Sequence, residues 1–370
     1  AFRTFPGLIA KAEAALKDGS KQAAATAEAL TEGLGHDVEA KLRALQNFMA
    51  RRIRTLGTAW DDLPFGTVTA PDAVLAEGYG NRLDRLLLWL AMLRAADIEA
   101  ELVFAGGNGL ETAYLLRDTL AAREVPRWTR WRTPYLRLAD GRLIGDEGEL
   151  DEPGATAVGS RSLMTAEGRA LYDQPEALRS RAQQTIRVVV RPDGDATLSA
   201  ETFRWGLEAG AMRRTVRDFT PETRRRAIAA TADALATGST PCSEFVADVK
   251  AYPVRTRLAV EAKGYAVRQG RVLSIPVEGL TVPLFGLRGV RRENPIWQGA
   301  AKPSERVYDL WLPAGVEILT KPEPFTVTLP GGGSYALTLE TAVMPHTGLV
   351  RLTYRTRHVA APALLGSWIA

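Results

Sequence analysis

Few side chains in this sequence could act as nucleophile, base or metal ligand. They are one cysteine, Cys242, three histidines, His36, His346 and His358, and carboxylates spread along the chain. Cys242 shares the C-terminal half with His346 and His358, so a Cys–His pair is one available chemistry: the imidazole would take the thiol proton and the thiolate would attack. The plainer reading, and the favoured one, is that a lone cysteine is a small buried hydrophobe. Three isolated histidines have no ligand spacing, and a single cysteine excludes a thiolate metal cluster and an internal disulfide framework, so neither metal nor cofactor is expected. Gly331-Gly332-Gly333 reads as a hairpin turn and not as a phosphate loop, because no helix and no Lys-Ser/Thr pair follows it.

A second constellation is Arg127-Trp128-Thr129-Arg130-Trp131-Arg132. As a strand it would put Trp128, Arg130 and Arg132 on one face and Arg127, Thr129 and Trp131 on the other. Such a surface suits an acidic peptide or glycan by stacking and charge; the alternative is a half-buried strand with Arg lying over Trp. Formal net charge is only +4, and basic clusters such as Arg51-Arg52-Ile53-Arg54 and Arg224-Arg225-Arg226 have acidic neighbours, Asp61-Asp62 and Glu222. No concentrated basic stripe results, and no nucleic-acid partner is expected. The longest apolar run, Leu86 to Leu93, is too short to cross a bilayer, so no transmembrane segment is expected.

The elements that must position these residues follow from periodicity. From Phe5 to about Arg54 apolar residues recur at helical spacing, as in Leu42, Leu45, Phe48, Met49 and Ile53, which predicts two or three helices, with Asp37 as N-cap of the last. Pro71 opens a short helix that Gly78-Tyr79-Gly80 ends. Asn81 is the expected N-cap of the next, with Asp84 three residues on, and Leu83, Leu86, Leu87, Leu90, Met92 and Leu93 cover so much of its surface that it must be buried. Ile98 to Ala105 alternates as a strand, and Tyr135 to Leu138 and Arg142 to Ile144 form two more around the turn Ala139-Asp140-Gly141.

Glu147 to Arg161, rich in Gly, Asp and Glu, is the expected linker between a first domain, 1–160, and a second, 161–370. Past it the chain is mostly β, with strands separated by turns such as Pro192-Asp193-Gly194. One amphipathic helix opens at Thr220-Pro221-Glu222. The fold class is therefore α+β: N-terminal helices, a buried central helix and an antiparallel sheet, then a mostly β, sandwich-like domain.

Residues 71 to 105 resemble the core of bacterial transglutaminase-like proteins, of the papain-like superfamily. In that family Gly-Asp-Cys-Lys-Asp-Lys opens a buried helix, and Leu-Arg-Ala-x-Gly-Ile-x-Ala leads into the first strand. Gly80, Asp84, Leu93, Arg94, Ala95, Ile98 and Ala100 fit that pattern, and residues 38 to 54 look like the helix that precedes it. The resemblance implies a catalytic Cys at a helix start, its thiolate favoured by the helix dipole and activated by His and Asp on neighbouring strands. Here the Cys position is Arg82, the preceding acidic position is Asn81, the His position falls at Thr133 to Tyr135, and the third member survives as Asp146.

Arg is not a nucleophile at any biological pH. The resemblance therefore implies a pseudoenzyme: a structural or peptide-binding module in a larger assembly, with a protein or peptide partner and groove residues Asn81, Asp84, Trp128, Arg130 and Trp131. Relatives in this group are commonly exported, which implies a periplasmic or cell-surface location. The competing expectation is a hydrolase or transferase with a relocated site, built on Cys242 or on Asp84 and Asp146. A permanent cation at a helix start is disfavoured by about 0.3 to 1 kcal/mol, so Arg82 is expected either to pair with a carboxylate, Asp84 or Asp146, or to point into the groove and await an acidic partner, the plainer alternative being that it snorkels to solvent.

Overall fold

The computed structural model describes residues 5–58, 60, 63, 68–106, 133–158, 160–277, 296–298, 303–328, 333–359 and 363–365. Trp128, Arg130, Trp131 and the first two glycines of the Gly331 run lie outside the described residues. The chain is α+β and divides into two compact units, Ala1–Arg179 and Ser180–Ala370. The division falls later than the break expected at 160, and the acidic stretch from Glu147 lies inside the first unit.

The first unit begins with helices α1 (Phe5–Asp18), α2 (Lys21–Thr31) and α3 (Val38–Arg52), then strand β1 (Arg54–Thr55), helix α4 (Pro71–Glu77), strand β2 (Tyr79–Gly80) and helix α5 (Arg82–Ala95). The caps are those the sequence encodes. Asp37 accepts from the Ala40 N–H at 3.0 Å, and Gly78 ends α4 in the left-handed region at φ 73°, which a Cβ would strain. In α5 every residue from Leu83 to Leu93 is buried. A helix apolar on all sides needs partners on all sides. These come from Ala23 and Ala27 of α2, Leu42, Leu45 and Met49 of α3, Val74 of α4, and strands on the remaining flank.

Those strands are β3 (Ala100–Ala105), β4 (Thr133–Leu138), β5 (Leu143–Ile144), β6 (Ser160–Thr165) and β7 (Gly168–Asp173), in the order β5-β4-β3-β6-β7. All their pairings are antiparallel, with Val103 opposite Tyr135. Alternation splits each strand between two faces. Leu102, Phe104, Leu136 and Leu138 join the α5 core, whereas Val103, Ala105, Tyr135, Leu143, Leu163 and Tyr172 build a second, smaller core.

The second unit contains β8 (Arg181–Val190), β9 (Ala196–Trp205), α6 (Leu207–Arg217), α7 (Pro221–Leu235), β10 (Thr240–Pro241), β11 (Val246–Asp248), β12 (Val254–Ala262), β13 (Val267–Gln269), β14 (Val272–Ser274), β15 (Ile296–Gln298), β16 (Ser304–Leu312), β17 (Phe325–Thr328), β18 (Ser334–Val343), β19 (Val350–Val359) and β20 (Ala363–Leu365). It is mostly β, as expected, but among the described residues two helices interrupt the strands where one was expected. The main sheet runs β10-β12-β9-β8-β16-β19-β18-β17, with β11 also on β12. Its buried face carries Ile186, Val188, Leu198, Leu258, Leu310 and Leu352, against which Ala232 and Leu235 of α7 pack. Among the described residues no helix is long and apolar enough to cross a membrane.

Candidate functional site

The start of α5 is where the sequence places its site residues. Asn81 is the N-cap, 2% exposed, and its Oδ1 accepts the Asp84 N–H at 3.0 Å. That bond fixes which end of the amide is oxygen. The other end, Nδ2, is buried and has no hydrogen-bond partner. Gly80 precedes it because the chain passes close to the helix: a Cβ there would lie 3.0 Å from the Asp84 Cβ and 3.2 Å from a Val74 methyl.

Arg82 is the first residue of α5 and is half-buried. Its guanidinium carbon lies 4.8 Å from the centre of the Tyr135 ring, a cation–π contact. It also runs against Gly145, where a Cβ would sit 3.0 Å from Arg82 Nη2 and 2.9 Å from the Tyr135 ring. Any side chain at 145 would therefore push the two apart. The structure thus brings together Arg82 and Tyr135, which the resemblance assigned to the Cys and His positions. Arg82 Nε is nevertheless buried with no hydrogen-bond partner.

The expected ion pair of Arg82 with Asp84 or Asp146 is not formed. Asp146 instead receives Arg85, one helical turn on, through Nε at 3.0 Å and Nη2 at 2.5 Å, and the Thr55 hydroxyl at 2.9 Å. Asp84 turns toward the preceding segment and accepts the Thr69 N–H at 2.9 Å; burial raises its pKa, against the opposing pull of that bond and of the Asn81 contact. Arg85 is the more buried of the two arginines, with its side chain 6% exposed. It is the cation that most needs a carboxylate, and it takes the one within reach.

The group that senses the charge of Arg82 is Glu147, which the sequence had placed in a linker. It is 9% exposed, its Oε1 accepts the Gly145 N–H at 2.6 Å, and its Oε2 is buried without a partner. Burial pushes its pKa up from 4.5 to about 8, against backbone hydrogen bonds and the attraction of Arg82. Near neutral pH this carboxyl therefore holds its proton. Only a Gly-Asp-Glu-Gly run directly after an apolar strand could have flagged it.

Cys242 and His358 do not come together. Cys242 is exposed, and its N–H bonds Ala259 of β12 at the edge of the main sheet. His358 lies on β19, beyond β12, β9, β8 and β16. At ~4.8 Å per strand that is roughly 24 Å, far outside proton-transfer range. His358 packs edge-on against Tyr335, with ring centres 6.4 Å apart. Among the described residues no three His, Cys, Asp or Glu side chains converge as a metal would need. An open trough on the outer face of the main sheet is lined by Arg187, Ser199, Glu201, Arg255 and Arg257, but Arg255 and Glu201 there already satisfy each other.

No protein-family profile matches the chain, and no curated protein does. A solved structure is similar to it: a crystal structure named for a "putative protease" from Parabacteroides distasonis, with 13% identity and a TM-score of 0.48. The likeness covers 96% of this chain and 53% of that one, so the chain spans about half the length of that protein. At that identity and TM-score the likeness assigns no activity to this chain.

Proposed function

We propose that this chain is a non-catalytic relative of the bacterial transglutaminase-like proteins, with its papain-like unit kept as a structural or peptide-binding module in a larger assembly. One observation carries the reading. At the start of the buried helix, where the family needs a thiolate facing a base, the facing pair is Arg82 and Tyr135. Neither forms an acyl intermediate, since Arg stays protonated and a phenol does not deprotonate near neutral pH. Asp146, which would orient a histidine, is instead engaged by Arg85 and Thr55. A periplasmic or cell-surface location belongs to the proposal and rests on the resemblance alone. Assays of amide hydrolysis and amine incorporation test it: the expected result is no product above buffer, and steady product formation would overturn it.

One observation favours a second reading, a carboxylate-dependent hydrolase. Glu147 holds a proton near neutral pH, as a general acid must. Against it stands the burial of Oε2, which leaves a substrate no path to that proton. Activity that disappears in Glu147→Gln would establish this second reading.

A further inference from the structure

Arg82 Nε and Glu147 Oε2 are both buried, and both lack a hydrogen-bond partner. The first only donates, and the second, once its carboxyl is ionised, only accepts. Buried polar groups are nearly always satisfied, yet here two complementary ones stand bare in one small region. Both side chains close on Gly145. Glu147 Oε1 accepts its N–H at 2.6 Å, and Arg82 Nη2 lies 3.0 Å from where its Cβ would be. Bond geometry across that one residue then sets the guanidinium and the carboxyl at most about 8 Å apart. With glycine at 145 no side chain stands between them. Asp146 is taken by Arg85 and Thr55, and Asp84 is turned to Thr69. Among these three carboxyls Glu147 is the one with an oxygen to spare.

We propose that Arg82 has two alternative partners, the Tyr135 ring and the Glu147 carboxylate, and that the proton on Glu147 decides between them. With the proton on, the carboxyl is neutral and Arg82 stays 4.8 Å from the ring centre. When the proton leaves to water, the guanidinium turns past Gly145, its Nε–H and Nη2–H meet the two carboxylate oxygens, and the cation–π contact opens. No bond between heavy atoms forms or breaks. An ion pair in a partly buried setting outweighs a cation–π contact several-fold, and the guanidinium fork meets a carboxylate with two parallel hydrogen bonds. The charged and titratable groups that face Glu147 are Arg82 from α5, Asp151 from its own loop and Tyr172 from β7. Burial and Asp151 hold the proton on, and Arg82 works against them. The device goes beyond the module reading and does not depend on a bound peptide. Because Arg82 and Tyr135 stand at the positions that the resemblance assigns to nucleophile and base, it changes what those positions present.

The test uses the full chain, with arginine 13Cζ and 15Nε and glutamate 13Cδ resonances followed from about pH 5.5 to about pH 10. Arg82→Gln and Glu147→Gln assign the two side chains by the signals they delete. The Glu147 carboxyl is expected to titrate with a midpoint near 8, and the Arg82 signals to move with the same midpoint. The nuclear Overhauser contact between the Arg82 Cδ protons and the Tyr135 ring should be present below that midpoint and lost above it. This contact is the decisive readout, because the field of a fixed Arg82 would move resonances and midpoints without breaking it. In Glu147→Gln the contact should persist across the whole range. Arg82→Gln should raise the Glu147 midpoint by at least about half a unit, roughly a threefold change in proton affinity. The proposal is overturned if the contact survives on both sides of the Glu147 midpoint, or if Glu147 does not titrate in that range. Loss of the contact at the same pH in Glu147→Gln overturns it too. The wild type alone decides the first two outcomes, so a variant that fails to fold leaves the proposal open to refutation. Turnover of a peptide would overturn the non-catalytic reading and leave this exchange standing.

Discussion

Replacing Glu147 by Gln isolates the electrostatic strain at this site. Glu147 has an ordinary value of 4.5 and a folded value of about 8, a rise of about 3.5 units. Each unit is worth about 1.36 kcal/mol, so ionisation is disfavoured in the fold by up to about 5 kcal/mol. The sign follows from the direction. A raised folded pKa means that the folded state binds the proton more tightly than the unfolded chain. The stability from Glu147 is therefore fully present below pH 4.5, lost progressively between 4.5 and about 8, and constant above that. By pH 7 about 2.5 units of that window have been crossed, or about 3 kcal/mol. Gln keeps an Oε1 acceptor for the Gly145 N–H and has nothing to ionise. The variant should thus gain on the wild type by about 3 kcal/mol between pH 4.5 and 7, whatever its offset at low pH. Hydrogen exchange of α5 and β4 peptides in a urea series at pH 4.5, 6, 7 and 8 reads the first unit separately from the second. Wild-type and variant curves that stay parallel within about 1 kcal/mol across that window would refute the burial argument.

Three further outcomes follow from the same contacts. Asp146→Asn removes the carboxylate from an Arg85 side chain that is 6% exposed, and should destabilise the first unit by about 3 kcal/mol, read by exchange of α5 amides. Leu87, 0% exposed inside α5, should cost about 2 to 5 kcal/mol when replaced by Ala, read by urea unfolding of the first unit. Thr220 and Thr223 cap α7 reciprocally, so Thr220→Ala should cost about 1 kcal/mol in exchange stability of the α7 amides and leave α5 unchanged.

How much could be read in advance depended on how local the cause was. The bounds of α5 were legible because its apolar saturation, its Asn81 cap and the strand after it all lie within 25 residues. Strand β9 was not: Ala-Thr-Leu-Ser-Ala-Glu-Thr-Phe-Arg-Trp has modest β preference, and it is a strand because β8 and β12 pair with it on both sides. Helix α6 was missed for a similar reason. It starts at Gly206, held at φ 59°, and its first N–H, from Leu207, bonds the Ser180 hydroxyl, 27 positions away in sequence. At the site, Asn81, Arg82 and Tyr135 were placed by the resemblance, and the structure brings Arg82 and Tyr135 into contact. The ion pair was assigned one turn too early, because Arg82 and Arg85 share a helix face and only depth in the core decides which takes Asp146. Glu147 escaped because an acidic, glycine-rich stretch looks like linker until the backbone is seen to fold it inward.

A site that lacks both nucleophile and base, as proposed, is tested by turnover of wild type and Arg82→Cys side by side. Each protein is incubated at pH 7.5 with a peptide pool and a labelled primary amine, and cleaved and amine-linked products are counted by mass spectrometry. No product is expected from either. On the proposed reading wild type has no activated nucleophile, and in the variant the helix start favours the thiolate but no imidazole stands opposite to protonate the leaving group. Product from the wild type would contradict the non-catalytic assignment, and product from Arg82→Cys would show that a base stands at this site after all.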